Sequence, residues 1–356
     1  MEKVALVVGA TGISGSALAQ KLIDKNWTTY GLSRSENTSI PGLKTIAANL
    51  LDKDDLIQKL KDVRPTHVFI TTWMRQDTEA ENIRVNSAMV RNILDSLSKQ
   101  HSVQHVALVT GLKHYLGPFE AYAKAGTLPQ TPVKEEHPRL EIENFYYAQE
   151  DEVFAAAARD GFTWSVHRPH TVIGKAVGNL MNMGTTLAVY ASICKETGRP
   201  FHFPGSAAQW NGLSDVTDAG ILAEQMIWAS TTPQASNQAF NVTNGDMFRW
   251  SWLWQKLASY FNVEVGNFDG TIRTLESQME NDESIWKEIA SKHNLKVTDI
   301  NKLSSAWHTD LDLGRPLEVM TDMTKSRKLG FSIYQDTPES FFTLFDKLKS
   351  EQLIPS

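Results

Sequence analysis

The sequence predicts an α/β fold with a doubly wound parallel sheet and a smaller, mostly helical C-terminal lobe. Short apolar runs alternate with amphipathic stretches through the first half of the chain, which is the pattern of repeated βαβ units. The first run, Lys3–Val8, has no polar alternation, as expected of a strand covered by helices on both faces. A glycine-rich turn then leads directly into a helical stretch. Together these features are typical of a Rossmann-type sheet.

The remaining elements are located by their apolar runs and end signals. Further strands are expected, in chain order, at Thr28–Ser33, Lys44–Ala48, His67–Thr71, Val103–Thr110 and Thr163–His167. Helices between them are expected at Ser14–Lys25, at Leu51–Leu60 with Asp52 as a cap, and at Thr78–Lys99. The alternation ends near Gly174. Beyond it we expect helices near Thr185–Thr197 and Thr217–Ser230, and extended pieces at Phe201–Pro204 and Gln238–Val242.

This change of pattern divides the chain into a core and a lobe. We expect residues 1–175, with returning segments at about 205–245, to form the dinucleotide-binding core. Residues 176–204 and 246–356 are expected to form the substrate-binding lobe, and both parts to behave as one cooperative unit. Ligands of open α/β sheets bind at the carboxyl ends of the strands, so the pocket is expected at that edge.

Composition and charge argue against several classes of protein. With 41% hydrophobic and 21% charged residues, the 356-residue chain has the make-up of an ordinary globular protein. Its formal net charge of −6 argues against nucleic-acid partners. No apolar run approaches the ~20 residues of a membrane helix, and no leader pattern precedes the first strand. The single cysteine, Cys194, fits a reducing compartment, so we expect a cytoplasmic protein without membrane partners.

The glycine-rich turn has the spacing Gly-x-x-Gly-x-x-Gly, formed by Gly9, Gly12 and Gly15. Glycine permits a tight turn and lets the backbone approach a pyrophosphate, which then rests on the N–H groups of the helix N-terminus. This spacing is the variant found in short-chain dehydrogenases. Its position between a strand and a helix predicts a nicotinamide dinucleotide cofactor.

The end of the second strand indicates which cofactor is used. An acidic residue there would bind the ribose hydroxyls of NAD, whereas an arginine accommodates the 2′-phosphate of NADP. Arg34 follows this strand, and the hydroxyl of Ser33 can donate a further hydrogen bond. Asn49 is expected near the adenine, and Thr72, at the end of the fourth strand, near the ribose or phosphates. NADPH is therefore the expected cofactor.

The usual catalytic pair of short-chain dehydrogenases is missing. Those enzymes use Tyr-x-x-x-Lys, but none of the eight tyrosines here has a lysine four residues further on. An ordinary ketone reductase or sugar epimerase is therefore disfavoured. Instead, Lys113 follows the fifth strand, where it is expected to project from the functional edge, and Tyr146 and Tyr147 open a helix.

Around these residues the sequence resembles the progesterone 5β-reductase and iridoid synthase family, NADPH-dependent reductases of activated carbon–carbon double bonds. The resemblance is carried by GATGISGSAL, VFITTW, NSAMVRN, TGLKHYLGPFEAY, NFYYAQED, TWSVHRPHTVIG and FNVTNGDMFRW. It implies that Lys113 and Tyr146 form the catalytic pair. Since Tyr146 and Tyr147 cannot both act, we expect Tyr147 to pack the helix. The resemblance also implies cofactor contacts from Thr11, Gly12, Ile13, Arg34, Ser35, Asn49, Leu50, Thr72, Tyr146 and Val172, and a less well matched contact from Asn179 and Met181.

Three positions depart from the family pattern. Ser35 stands where many relatives have a second arginine, and Asn49 where they have an aspartate. His170 and Thr171 replace a Gly-Asn pair. We expect the first two departures to weaken cofactor affinity and the third to alter the nicotinamide face of the pocket.

The resemblance implies 1,4-reduction of a small-molecule enone. Hydride adds to the β-carbon, and Tyr146 and Lys113 stabilise the enolate oxygen that develops. Steroid, monoterpenoid-type and small enones all stay open as substrates, and a homodimer stays open as the assembly. Two alternatives are kept: 1,2-reduction of a carbonyl to an alcohol, and an NADPH-sensing regulatory protein without catalysis. The ten histidines show no metal-ligand spacing, so no metal is expected.

Overall fold

A computed structural model describes residues 3–35, 40–118, 130–179 and 181–356. The chain divides into two compact units. The sheet unit comprises Met1–His170, Ala219–Val242 and Asp322–Ile333, and the helical unit comprises Thr171–Asp218, Thr243–Thr321 and Tyr334–Ser356. The end of the TGLKHYLGPFEAY segment, from Phe119 on, lies outside the described residues.

Nine strands are described. They are β1 (Val4–Val8), β2 (Thr28–Ser33), β3 (Lys44–Ala47), β4 (His67–Ile70), β5 (His105–Val109), β6 (Thr163–Pro169), β7 (Val172–Ile173), β8 (Thr217–Asp218) and β9 (Gln238–Val242).

The α-helices follow in chain order. They are α1 (Ile13–Asp24), α2 (Lys53–Leu60), α3 (Glu79–Ser98), α4 (Lys113–Leu116), α5 (Phe145–Asp160), α6 (Met183–Thr197), α7 (Ala207–Asn211), α8 (Ala219–Thr231), α9 (Trp250–Phe261), α10 (Leu275–Gln278), α11 (Asp282–Lys292), α12 (Ala306–Leu313), α13 (Thr324–Lys328) and α14 (Thr337–Ser350). Single turns of 3₁₀-helix lie at Pro233–Ala235 and Ile300–Lys302.

The sheet unit is built on seven parallel strands in the order β3-β2-β1-β4-β5-β6-β9. From β1 the chain runs outward to β2 and β3, then returns to the other side of β1 to form β4. The strand order therefore reverses between β1 and β4, and in open α/β sheets this is the point where ligands bind. The predicted doubly wound parallel sheet is confirmed.

Helices cover both faces of this sheet. Residues of β1, β4 and β5 that point to one face join apolar residues of α2, α3 and α5 in a single core. On the opposite face, α1 packs against α8. Because both faces are covered, the central strands are apolar on successive residues, as the run at β1 predicts.

The helical unit has its own core. Trp250, Trp254 and Trp286 are fully buried, and Trp254 stacks on Phe201 with ring centres 4.1 Å apart. The tryptophan-rich C-terminal sequence thus forms a core here. Among the described residues of this unit, only β7 and β8 pair as strands, and the expected extended piece at Phe201–Pro204 contributes one isolated bridge, from Phe201 to Val265.

None of the helices in the described part of the chain has both the length and the apolar character needed to cross a bilayer.

Candidate active site

The glycine turn connects β1 to α1 and is fixed to β2. The N–H groups of Gly9 and Ala10 both donate to the carbonyl oxygen of Leu32, over 2.8 and 3.3 Å. A Cβ atom built on Gly9 would lie 2.8 Å from the Cβ atom of Thr72. A Cβ atom on Gly15 would lie 2.1 Å from the carbonyl oxygen of Gly9. Neither position has room for a side chain, and Thr72 lies directly against the turn.

The N-terminus of α1 is shaped for an anion. Gly12 is the N-cap residue and brings no side chain that could cap the helix, and the first turn holds no acidic residue. The first N–H groups of a helix have no partner within it and carry a partial positive charge. Thr11 is exposed at this end, whereas Ile13 is buried beneath it.

The ends of β2 and β3 carry the residues expected around the adenosine half of a cofactor. Arg34 and Ser35 are exposed after β2, while the hydroxyl of Ser33 donates to the carbonyl of Ser35 over 2.5 Å. This hydroxyl would have to turn before it could donate to a phosphate. Asn49 is also exposed, and its side-chain oxygen accepts a backbone hydrogen bond over 3.0 Å from two residues further on. Leu50 is half-buried beside it.

Lys113 lies in an aromatic cluster formed by Trp73, Phe145 and Tyr146. Lys113 is the first residue of α4, which follows β5 after a short loop, and the residue is only 6% exposed. The ammonium nitrogen lies 4.4 Å from the centre of the Trp73 ring, 4.9 Å from that of Phe145 and 5.7 Å from that of Tyr146. Trp73 and Phe145 stack with ring centres 4.9 Å apart. The structure therefore brings the predicted pair, Lys113 and Tyr146, together.

The hydroxyl of Tyr146 lies at the carboxyl edge of the sheet. A Cβ atom built on Gly111, just after β5, would lie 3.3 Å from this hydroxyl and 3.3 Å from the carbonyl oxygen of Pro169, the last residue of β6. The hydroxyl is thus held close to the ends of two neighbouring strands. This is the edge at which α/β sheets bind their ligands.

Tyr147 takes part in a different set of contacts. Its hydroxyl donates to the backbone carbonyl of His114 over 2.5 Å and accepts from the N–H of Leu140 over 3.0 Å. Burial raises the pKa of Tyr147 above its ordinary value. Both hydrogen-bonding functions of this hydroxyl therefore serve the backbone.

A buried carboxylate lies behind Tyr147. Glu150 is 1% exposed, and its oxygens lie 2.8 Å from Arg139, 3.4 Å from Arg168 and 3.5 Å from Nδ1 of His114. Burial favours a higher pKa for Glu150, but His114 and the two guanidinium groups outweigh it and hold the pKa below its ordinary value. Burial lowers the pKa of His114 below its ordinary value. The cluster supports α5 from inside the sheet unit.

The remaining predicted contacts belong to the helical unit. Val172 begins β7 and pairs with Thr217 of β8. Asn179 accepts a hydrogen bond through its side-chain oxygen from the N–H of Met181 over 3.1 Å, and both residues are half-buried.

Two residues of the site were missed by the sequence analysis. Trp73 directly follows Thr72 at the end of β4, and its position in VFITTW was a usable signal, since strand ends supply ligand contacts. Asn144 precedes the NFYY aromatic residues as the N-cap of α5. Asparagine before a helical pattern is a standard N-cap signal, but it does not show which partner the amide reaches.

Comparison with models of protein families identifies the family of this chain. Residues 44–355 match the PRISE-like Rossmann-fold domain. The chain belongs to this family. It is 38% identical to the (S)-8-oxocitronellyl enol synthase ISY1 of Nepeta cataria over 99% of this chain and 94% of the relative. The 3-oxo-Δ4,5-steroid 5β-reductase of Arabidopsis thaliana is also 38% identical, over the same shares of the two chains. The predicted resemblance to 5β-reductases and iridoid synthases is confirmed.

Solved structures confirm the fold. The UDP-glucose 4-epimerase of Thermus thermophilus, in complex with NAD, aligns with a TM-score of 0.67 over 97% of this chain and 99% of its own, at 15% identity. The epimerase Mth375 of Methanothermobacter thermautotrophicus aligns with a TM-score of 0.70 over 98% and 93%, at 14% identity. At this identity the likeness concerns the fold alone.

Proposed function

We propose that this member of the PRISE-like family reduces the activated carbon–carbon double bond of an enone with NADPH. Its full-length similarity to an enol synthase and to a steroid 5β-reductase supports this reaction over carbonyl reduction and over a purely regulatory role. Within the sheet unit, the meeting of Lys113 and Tyr146 at one edge is the observation that carries the proposal.

The sheet unit has features that fit a phosphorylated dinucleotide. The glycine turn is as tight as the dinucleotide-binding turn requires, since Cβ atoms at Gly9 and Gly15 would collide with Thr72 and with the carbonyl oxygen of Gly9. The uncapped N-terminus of α1 supplies N–H groups and a positive dipole end. Arg34 is exposed after β2, where its guanidinium would pair with a 2′-phosphate. These features support NADPH over NADH.

Tyr146 and Lys113 act on the oxygen of the substrate. Bound NADPH would supply a hydride to the β-carbon of the enone. As the double bond shifts, negative charge develops on the carbonyl oxygen, and the Tyr146 hydroxyl donates a hydrogen bond to it. The ammonium of Lys113 adds a positive charge to the same region, which stabilises the enolate more than the neutral enone. A proton then adds to the α-carbon and completes the saturated carbonyl product.

The two adjacent tyrosines are assigned by their contacts. The hydroxyl of Tyr147 is committed to the backbone at His114 and Leu140. The hydroxyl of Tyr146 lies beside Gly111, at the ends of β5 and β6. Tyr146 is therefore the residue we assign to the oxyanion.

The reaction is tested with NADPH that carries deuterium at the transferring position of C4. Candidate substrates are a Δ4-3-ketosteroid, a linear monoterpenoid dialdehyde and a small cyclic enone, with product analysis by NMR. We expect deuterium on the β-carbon of a saturated carbonyl product. The Lys113→Met/Tyr146→Phe double variant serves as the background control.

Each alternative has its own outcome in this experiment. Deuterium on the carbonyl carbon of an allylic alcohol would replace the proposal with 1,2-reduction. Binding of NADPH without turnover of any enone or ketone would favour the regulatory protein.

A further inference from the structure

We infer that Asn144 is a positioning residue that holds the backbone of Lys113 and the backbone of Tyr146 in one fixed relation. The inference rests on the proposed function, because it concerns the two residues assigned to the enolate. Asn144 itself does not need to touch the substrate. It acts through the two residues that do.

The amide group of Asn144 uses both of its ends. Its Nδ2 donates to the carbonyl oxygen of Lys113 over 2.7 Å, and its Oδ1 accepts from the N–H of Tyr146 over 3.0 Å. The residue is only 3% exposed, so water does not readily replace either bond. One side chain thus connects two segments that are 31 residues apart, counted from Asn144 to Lys113.

The side chain at position 144 must donate to the carbonyl of Lys113 and accept from the N–H of Tyr146, and the amide of asparagine does both. Serine, aspartate and asparagine cap helices about equally well, so capping alone does not require asparagine. An aspartate would present a second acceptor to the Lys113 carbonyl and would repel it. A serine hydroxyl keeps an acceptor for the helix but is too short to span both partners. The choice of asparagine is therefore explained by the link to Lys113.

The first turn of α5 is held by a second side chain as well. Glu79, at the start of α3, accepts from the N–H of Phe145 over 2.7 Å. The ring of Phe145 in turn lies 4.9 Å from the ammonium of Lys113. Glu79 fixes α5 to α3, whereas Asn144 fixes α5 to the backbone of Lys113 itself. Tyr147 also reaches α4, but it bonds to the carbonyl of His114 and not to that of Lys113. The loss of Asn144 would therefore remove the direct bond from α5 to the backbone of Lys113, while Glu79 and Tyr147 keep α5 docked.

The kinetic test uses Asn144→Ser, which keeps a capping oxygen but loses the link to Lys113. We expect kcat on the enone to fall roughly ten- to a hundredfold, as for displacement of a catalytic group by about 1 Å. The KM for NADPH should change less than about twofold, because the glycine turn is untouched. As a matched control, Asp336→Ala removes the N-cap bond to Glu339 at α14 and should leave kcat unchanged.

A double-variant cycle separates positioning from general destabilisation. If Asn144 acts through Lys113, then Asn144→Ser should have little further effect in the Lys113→Met background. An equal loss of kcat in the wild-type and Lys113→Met backgrounds would overturn the inference. So would an unchanged kcat in the Asn144→Ser enzyme.

A spectroscopic readout is independent of turnover. In protein carrying lysine labelled with ¹³C at the ε-carbon, the signal absent from Lys113→Met belongs to Lys113. In the wild type this signal should be displaced upfield, because the side chain lies over the Trp73 ring. It should move toward the other lysine signals in Asn144→Ser and stay in place in Asp336→Ala. An unmoved signal in Asn144→Ser would overturn the inference, whether or not the wild type reduces an enone. Failure of the wild type to reduce any enone would refute the proposed function but not the positioning of Lys113 by Asn144.

Discussion

The ammonium group of Lys113 lies 4.4 Å from the centre of the Trp73 ring, so the segments that follow β5 and β4 meet at one cation–aromatic contact. Such contacts contribute about 0.5–2 kcal/mol, more when the cation is removed from water, as Lys113 is. The ring orients the ammonium without bringing a negative charge of its own. A cation held in this way can still respond to charge that develops on a nearby oxygen.

Replacement of Lys113 tests this role. Lys113→Met keeps an unbranched apolar side chain that is one atom shorter and removes the charge, and we expect kcat to fall about a hundredfold. Combined with Tyr146→Phe, the loss should be smaller than the product of the two single losses, since both groups act on one oxygen. Steady-state kinetics of the two single variants and the double variant decide this. Losses that simply multiply would show that the two groups act on different steps.

The adjacent tyrosines give a second prediction. Tyr146→Phe removes only the hydroxyl at the sheet edge and should lower kcat by about a hundred- to a thousandfold with the fold intact. Tyr147→Phe leaves the carbonyl of His114 and the N–H of Leu140 without a partner, so it should cost about 1–3 kcal/mol of unfolding free energy. Its kcat should stay within a few-fold of the wild type. Turnover and urea unfolding are measured on both variants.

The opposite pattern would reassign the chemistry. If Tyr147→Phe were inactive and Tyr146→Phe retained full turnover on a weakly activated enone, the oxyanion role would belong to Tyr147. For substrates that form more stable enolates, Tyr146→Phe should lower kcat by a smaller factor, because their enolates require less stabilisation from the protein.

The individual strands and helices of the sheet unit could be predicted from the sequence, but the distant segment that returns to join this unit could not. The strands at β2 and β9 have the expected bounds, and Asp52 caps α2 as expected. Apolar period and capping are local signals, so short windows suffice to detect them. By contrast, residues 322–333 join the sheet unit through contacts such as the bond from Lys325 to the carbonyl of Ala239 over 3.0 Å. No local pattern encodes a contact across 86 residues.

The site was predictable to a similar extent. Motif resemblance selected Lys113 and Tyr146, and the structure brings them together. The same motifs did not show that Trp73 covers the ammonium or that Asn144 reaches the Lys113 carbonyl. Both contacts join ends of different strands and helices, and such contacts depend on the strand order. That order is a property of the whole sheet.

Cofactor preference is tested at Arg34. A charge-assisted bond to the 2′-phosphate contributes roughly 1.5–3 kcal/mol, which corresponds to about a ten- to hundredfold preference for NADPH. Arg34→Asp should erase or invert this preference, since a carboxylate repels the phosphate and can accept from ribose hydroxyls. The ratio of kcat/KM values for NADPH and NADH is the measurement. Lys61→Asp makes the same charge change at an exposed position elsewhere in the sheet unit and should keep the wild-type ratio. Equal efficiency with both cofactors in the wild type would contradict the assignment.

Three buried histidines lie on the adjacent strands β4, β5 and β6, where His67 pairs in register with His105 and Ser165 links His105 to His167. His105 bonds through Nε2 to the hydroxyl of Ser165 over 2.9 Å, and that hydroxyl bonds to Nε2 of His167 over 2.9 Å. Nδ1 of His167 in turn hydrogen-bonds to the side-chain oxygen of Gln225 in α8 over 2.8 Å. Burial lowers the pKa of His67 to about 4, that of His105 to about 3 and that of His167 to about 4. All three are neutral in the folded chain at pH 7.

This histidine group predicts a loss of stability in mild acid. Each histidine has a lower pKa in the folded chain than the 6.5 expected when unfolded, so the unfolded chain takes up more protons below pH 6.5. Above about pH 7 the histidines therefore do not lower the free energy of unfolding. As the pH drops toward 4, each histidine lowers it by up to about 1.4 kcal/mol per pH unit. Burial raises the pKa of Asp310 to about 6 and also raises that of Glu135, and these carboxyls oppose the trend.

Urea unfolding between pH 7.5 and 4.5 measures the balance. Because three strongly shifted histidines, together with His114, oppose two carboxyls, we expect the free energy of unfolding to fall by roughly 1–3 kcal/mol per pH unit below pH 6.5. His105→Gln can still hydrogen-bond to Ser165 but cannot titrate. The variant should therefore show a shallower decline below pH 6.5 than the wild type, so that its stability relative to the wild type improves in acid. If both curves fell in parallel, His105 would not be the titrating group, and a wild-type curve that stayed level from pH 6.5 to 4.5 would mean that the buried histidines are not kept neutral by folding.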